Sequence, residues 1–157
     1  MNKFFLLLFL FLVSFACLSQ ITGKVVGISD GDTFTFLTND KKQIKVRLYG
    51  VDCPEKGQPF GNEAKLYLSN LIFGKEVSIV EIKKDKFGRT VALVTFNKKS
   101  INEQLIEGGM AWHFTKYDRN LYWASLEMKA RKAKTGLWKD PHPVAPWEWR
   151  KIKKKHN

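Results

Sequence analysis

Ile44-Lys45-Val46-Arg47-Leu48-Tyr49-Gly50-Val51-Asp52-Cys53-Pro54-Glu55 is a strand that runs into a loop. Ile44, Val46 and Leu48 alternate with Lys45, Arg47 and Tyr49, the period of two expected of a half-buried strand. The alternation puts Arg47 on the face opposite the apolar set. Gly50 and Pro54 break the strand, so Asp52 and Glu55 fall on the loop beside its end. One strand end therefore carries a guanidinium and two carboxylates.

The neighbouring segments extend this pattern. Upstream, residues 21–28 form an apolar-rich run that stops at the turn Ser29-Asp30-Gly31. Phe34 and Phe36 then alternate with Thr33 and Thr35, a second half-buried strand. A polar turn at residues 39–42 leads into the opening stretch. Downstream, Ala64, Leu68, Leu71 and Ile72 lie at i, i+4, i+7 and i+8, one face of a helix that Gly74 closes. Two further strands follow near residues 77–82 and 90–96. The polar turn from Lys83 to Gly88 joins them and leaves Arg89 at the mouth of a hairpin. Ser100 with Glu103 makes a capping box for a short helix ending at Gly108-Gly109. Asp118 is the expected N-cap of a last helix, with Tyr122, Leu126, Ala130 and Ala133 on its buried face. Five strands and three helices in this order predict an α+β, mainly β fold: a five-stranded OB-type Greek-key barrel.

The ends of the chain have a different character. Lys3 precedes an almost unbroken run of Phe, Leu and Val over residues 4–15, followed by small or polar residues. That order predicts a signal peptide over residues 1–19, and hence an exported protein, secreted or periplasmic. The alternative is a lipid on Cys17, which would anchor the protein to the envelope and make membrane its second partner. Residues 20–138 are the expected OB-fold domain. Residues 139–157 form a basic tail whose prolines, Pro141, Pro143 and Pro146, exclude one regular helix through them. Trp147 and Trp149 are expected to pack back on the domain, and the final residues to be disordered. Cys53 is the one cysteine beyond the leader, so no internal disulfide is available to the exported chain. A monomer with no stable protein partner is expected.

The formal charge is +12. A charge this positive on one domain calls for a polyanion, either nucleic acid or an anionic surface. Yet Asp32, Asp52 and Glu55 concentrate acid beside arginines. Two carboxylates and a backbone carbonyl can seat a hard cation with oxygen preference, and a third carboxylate can act on water as a general base. Zinc-like chemistry is excluded by a single cysteine beyond the leader and the scattered His113, His142 and His156. Arg47 and Arg89 can each fork onto phosphate oxygens. Taken singly, such residues are more often turn caps and surface ion pairs. A module that only binds nucleic acid has no use for the three acids, since carboxylates repel phosphate unless a cation lies between. A protein targeting acidic membrane or wall polymers has none either.

Asp30-Gly31-Asp32-Thr33, then Val46-Arg47-Leu48-Tyr49-Gly50-Val51-Asp52-Cys53-Pro54-Glu55, then Asp85-Lys86-Phe87-Gly88-Arg89 resemble the staphylococcal (thermo)nuclease family in order and spacing. Gly109-Met110-Ala111-Trp112 and Gly136-Leu137-Trp138 resemble its later signposts. The resemblance covers about residues 22–138. It implies an OB barrel and a calcium-dependent endonuclease acting on DNA and RNA, with water attacking phosphorus and 3′-phosphate ends left behind. It implies Asp32, Asp52 and the Cys53 carbonyl as calcium ligands and Glu55 as the general base. Arg47 and Arg89 become the phosphate-binding arginines, and Lys86 a lysine near the terminal phosphate of the substrate. A base-stacking ring would fall at Thr115 or Tyr117. The chain departs from the family in having Cys53 where threonine is common, Phe87 where tyrosine is frequent, and a short loop after Glu55.

Overall fold

A computed structural model describes residues 20–156. The leader expectation and both readings of Cys17 lie outside the described residues. In chain order the elements are β1 (Gln20–Asp30), β2 (Thr33–Thr38), β3 (Gln43–Leu48), β4 (Val51–Asp52), α1 (Gly61–Ile72), β5 (Glu76–Lys84) and β6 (Thr90–Phe96). β7 (Lys99–Ser100), α2 (Ile101–Glu107), β8 (Trp112–His113), α3 (Leu121–Lys132), a 3-10 turn (Gly136–Lys139) and α4 (Pro146–His156) complete it.

Five strands close a barrel. The antiparallel ladder runs β3-β2-β1-β5-β6, and a parallel pairing of β3 with β6 joins its two edges. Closure removes the unpaired edges that an open sheet would expose. This is the expected OB-type, mainly β architecture. β1 pairs with both β2 and β5, and register shifts at Val25/Gly27 and Ile28/Asp30 bend it. Such bulges raise local twist, which a small barrel needs. Alternate residues of the strands fill the interior: Val25, Phe34, Phe36, Val46, Ile79 and Val94 are fully buried. Each such side chain contributes about 1.5–3 kcal/mol by leaving water. α1 adds Ala64, Leu68 and Ile72 to the same core, and α2 adds Ile101, Leu105 and Ile106.

There are four α-helices among the described residues, where three were expected. The fourth, α4, lies in the proline-rich tail, and it runs to His156 where disorder was expected. Pro141 and Pro143 precede the helix, while Pro146 opens it, and a first-turn proline sacrifices no helical hydrogen bond. At α3 the N-cap is Asn120, whose side chain accepts from the N–H groups of Tyr122 and Trp123 at 2.9 and 3.3 Å. Asp118 instead accepts from Asn120 N–H and meets His113 Nε2 at 2.8 Å. The buried face keeps Leu126 and Ala130 as expected but takes Trp123 in place of Tyr122, which is exposed, and Ala133 is the exposed C-cap of the helix. At α2 the capping box is half formed. Ser100 Oγ accepts from Glu103 N–H at 3.2 Å, but the Glu103 carboxylate takes the Trp123 indole N–H at 3.0 Å.

The two late glycine signposts meet in space. Gly109 and Gly136 both have positive φ, 63° and 57°. A Cβ on either would lie 2.2 Å from a backbone oxygen at the other contact. Leu137 N–H donates to Gly109 C=O at 2.8 Å across this approach.

Asn102 is the buried polar tie between α2 and the barrel. Its Oδ1 accepts from Val94 N–H at 3.0 Å, and its Nδ2 donates to Tyr49 C=O at 2.8 Å. Asn102→Ala would leave both backbone groups unpaired in the core. Each orphaned group costs about 1–3 kcal/mol, so the urea midpoint should fall sharply. A variant with an unchanged midpoint would show that water replaces the amide.

Candidate active site

The β2–β3 register assembles the first half of the site. Thr33 pairs with Arg47 across the ladder, which sets Arg47 beside Asp32. Leu48 N–H donates to Asp32 C=O at 2.9 Å and fixes the turn to the strand end. Gly31 allows the close approach of that turn. A Cβ there would lie 2.7 Å from Cys53 Cβ and 2.8 Å from Ala64 Cβ. With no Cβ, Asp32 can reach Cys53, and its Oδ2 accepts from Cys53 N–H at 3.2 Å.

β4 sets Asp52. It pairs with β8, Val51 opposite His113 and Asp52 opposite Trp112. Arg47 then bridges the two acids, Nη1 to Asp32 Oδ1 at 2.5 Å and Nη2 to Asp52 Oδ1 at 2.8 Å. Both carboxylates are almost wholly buried, at 5% and 1% side-chain exposure. Burial alone would raise Asp32. The charge of Arg47 and hydrogen bonds including those from Cys53 N–H and the Thr33 hydroxyl hold it below the ordinary carboxylate range. At Asp52 burial pushes the carboxyl up, against the hydrogen bond from Arg150 and the charge of Arg47. Arg47, bound by two carboxylates, is held more firmly protonated still.

The β5–β6 hairpin brings the second arginine. Asp85 organises its turn, accepting from the N–H groups of Phe87 and Arg89 at 2.9 and 3.0 Å. Asp85 Oδ2 also accepts from Arg89 Nε at 2.7 Å, leaving the terminal nitrogens of the guanidinium outside that bond. The parallel pairing of Val46 with Thr90 places Arg89 next to the Arg47 strand.

Asp32, Arg47, Cys53, Glu55, Lys86 and Arg89 all line one cavity of about 610 Å³. Asp52 sits directly behind it, in contact with Arg47. The sequence-selected residues thus converge on one place. Asp30 and Arg150 line the cavity as well. Asp30 faces it and is pushed up to about 6, by burial first and then by the charge of Asp32. Arg150 comes from α4. Its Nη2 donates to Asp52 Oδ2 at 2.7 Å and its Nη1 donates to Glu55 Oε1. Nothing in the periodicity of the tail marks Arg150, which stands in a basic run with Lys151 and Lys153. Of the two positions read for a base-stacking ring only Tyr117 carries one, and it lines the cavity half exposed.

The donor set is all oxygen and acidic. Burial first, and then the charge of Asp32, raises Asp30, and a hard cation beside the two carboxylates would offset that charge. Among the described residues no three His, Cys, Asp or Glu side chains close on one point. A cation here would therefore complete its shell with backbone carbonyl or water oxygens. The Cys53 thiol is buried and raised well above its usual range by burial and by the charges of Asp32 and Asp52, so it is no nucleophile.

The family model of the staphylococcal nuclease homologue matches residues 45–140. An uncharacterized endonuclease of Haemophilus influenzae is 41% identical over 149 residues, 94% of this chain and 84% of that protein. The Micrococcal nuclease of Shigella flexneri is 36% identical over 156 residues, 91% of this chain and 88% of that protein. Some relatives are larger: the chain spans 36% of the Staphylococcal-like nuclease CAN1 of Arabidopsis thaliana, at 37% identity over 116 residues.

Proposed function

The chain belongs to the staphylococcal nuclease homologue family and is by that membership a nuclease, and from this premise we propose that it is an exported, calcium-dependent endonuclease of DNA and RNA that leaves 3′-phosphate ends. The observation that supports this reading best is the shared cavity: Asp32, Arg47, Glu55 and Arg89 line it, and Asp52 lies behind it against Arg47.

Calcium would be held by Asp32, Asp52 and the Cys53 carbonyl, and when bound it supplies a positive charge beside the reacting phosphate. Arg47 uses its terminal nitrogens on the two acids, and a guanidinium has more N–H donors than these contacts consume. Arg47 and Arg89 thus bind phosphate oxygens and stabilise the charge that builds on them. Glu55 accepts a proton from water as its oxygen bonds to phosphorus. The bond from phosphorus to the 5′ oxygen breaks. The electron pair of that bond stays on the 5′ oxygen, which takes a proton from solvent water and leaves as a hydroxyl, and the phosphate stays on the 3′ side. Lys86 lies where it can meet a second phosphate, and Tyr117 where a base can stack.

Export rests on the leader pattern of residues 1–19. The intact mass of protein recovered outside the cytoplasm should correspond to a chain beginning at Gln20. A mass showing uncut Met1 rules out export by cleavage, and a lipid on Cys17 changes a free enzyme to an anchored one.

Purified protein should cleave single-stranded DNA in calcium, stop in EDTA and recover when calcium is restored. The fragments should require phosphatase treatment before their 3′ ends can be extended. Cleavage that persists in excess chelator overturns the metal assignment, and extendable ends overturn the bond assignment.

A further inference from the structure

We propose that Arg150, carried by the C-terminal helix α4, is a positioning residue of the active site, holding the Glu55 carboxylate against Asp52 in the orientation that the reaction requires. The inference rests on the reading of Glu55 as the base.

The contact is not a loose surface pair. One guanidinium spans two acids. Nη2 and Nη1 donate to Asp52 Oδ2 and Oδ1 at 2.7 and 3.3 Å, and Nη1 also donates to Glu55 Oε1. Asp52 is buried and fixed by β4, so it is a rigid anchor at one end. Glu55 is 39% exposed on a loop, so without a partner its carboxylate would sample several rotamers. Exposed ion pairs contribute little, but a forked guanidinium anchored on a buried acid restricts geometry as well as neutralising charge.

The helix that delivers Arg150 is built into the domain. Trp147 stacks on Phe114, with ring centroids 5.0 Å apart and planes 3° from parallel, and meets the edge of Trp112 at 5.5 Å. Gln58, 7% exposed, links the tail to the Glu55 loop. Its Oε1 accepts from Glu55 N–H at 3.0 Å, and its Nε2 donates to Val144 C=O at 2.7 Å. The main chain at Glu55 and the residues just before α4 are thus tied by one buried amide. Lys151, by contrast, pairs outward with Glu148 at the surface. Arg150 alone of the basic run is directed into the cavity lining.

The test is a cycle of Arg150→Met, Glu55→Gln and the double variant, in the full chain with calcium and single-stranded DNA. Methionine keeps much of the apolar stem and removes the fork. Arg150→Met should lower kcat about 10–100-fold with KM changed less than about threefold. In the Glu55→Gln background the same change should cost less than about threefold, because there is no base left to position. Arg150→Lys, which keeps charge but cannot fork, should recover only part of the loss. In metal-free protein the two substitutions should also show a smaller combined fall in urea midpoint than their separate falls added together. An equal loss of kcat in both backgrounds marks a merely structural tail and overturns the proposal. Activity unchanged or raised by Arg150→Met does so too, the latter indicating a tail that blocks the site. If Glu55→Gln alone is fully active, the base assignment itself falls. If only Arg150→Met is silent, that assignment stands.

Discussion

Glu55→Gln should reduce turnover by about 100-fold or more while leaving substrate binding nearly intact, as expected for loss of a positioned general base. Glutamine has the shape of glutamate but cannot take a proton at neutral pH. The side chain is 39% exposed and lies on the cavity wall, so the exchange opens no void in the core. The fold should survive, with only the fall in urea midpoint that loss of the ion pair with Arg150 brings. A fall in kcat with constant KM is the signature of an interaction made only in the transition state. A variant that turns over at the normal rate would move the base elsewhere, and a variant that only raises KM would make Glu55 a binding group.

Arg47→Ala should be the most damaging single change to stability at the site. Arg47 is the counter-charge for two carboxylates that are 5% and 1% exposed. Removing one partner of a buried pair strands the other, at a cost of about 3–5 kcal/mol. Here Asp32 would lose its strongest compensating charge, and Asp52 would keep only Arg150. The comparison is made by urea unfolding without metal. Calcium added to both proteins should narrow the gap, because the cation replaces the counter-charge that Arg47 gives the two acids and so stabilises the variant's folded state more. A loss below about 1 kcal/mol, the scale of an exposed pair, would show that water reaches the acids and that their burial is shallower than the structure has it.

The strand reading succeeded where one face meets the core and the other meets water. Phe34 and Phe36, and Val46 and Leu48, alternate with polar neighbours, and all four are buried. The helix at residues 61–72 was legible for the same reason, since its apolar residues recur at helical spacing. Reading was poorer where partners lie far away in sequence. Tyr122 looked like the buried residue of α3, but Asn120 takes the N-cap and turns Trp123 inward against Glu103. β4 and β8 are two residues each, too short for any period to show. Their pairing nonetheless fixes Asp52. Asn102 reads as an ordinary helix residue until the Val94 and Tyr49 backbones are found on either side of it.

Local chemistry is written in the order of residues. A turn that needs Gly31, a strand that alternates around Arg47, acids at 32, 52 and 55 and a hairpin ending in Arg89 could all be named from the chain, because each depends on neighbours within a few positions. Which of these groups face one another depended on barrel closure. The parallel contact of β3 with β6 sets the two arginine-bearing strand ends side by side, and only a closed sheet makes that contact. The place of Arg150 is the extreme case. It stands 98 residues from Asp52 and is brought there by stacked aromatic rings and one buried glutamine. Packing of that range depends on volumes and contact surfaces supplied by the whole domain, and no short stretch of residues encodes it.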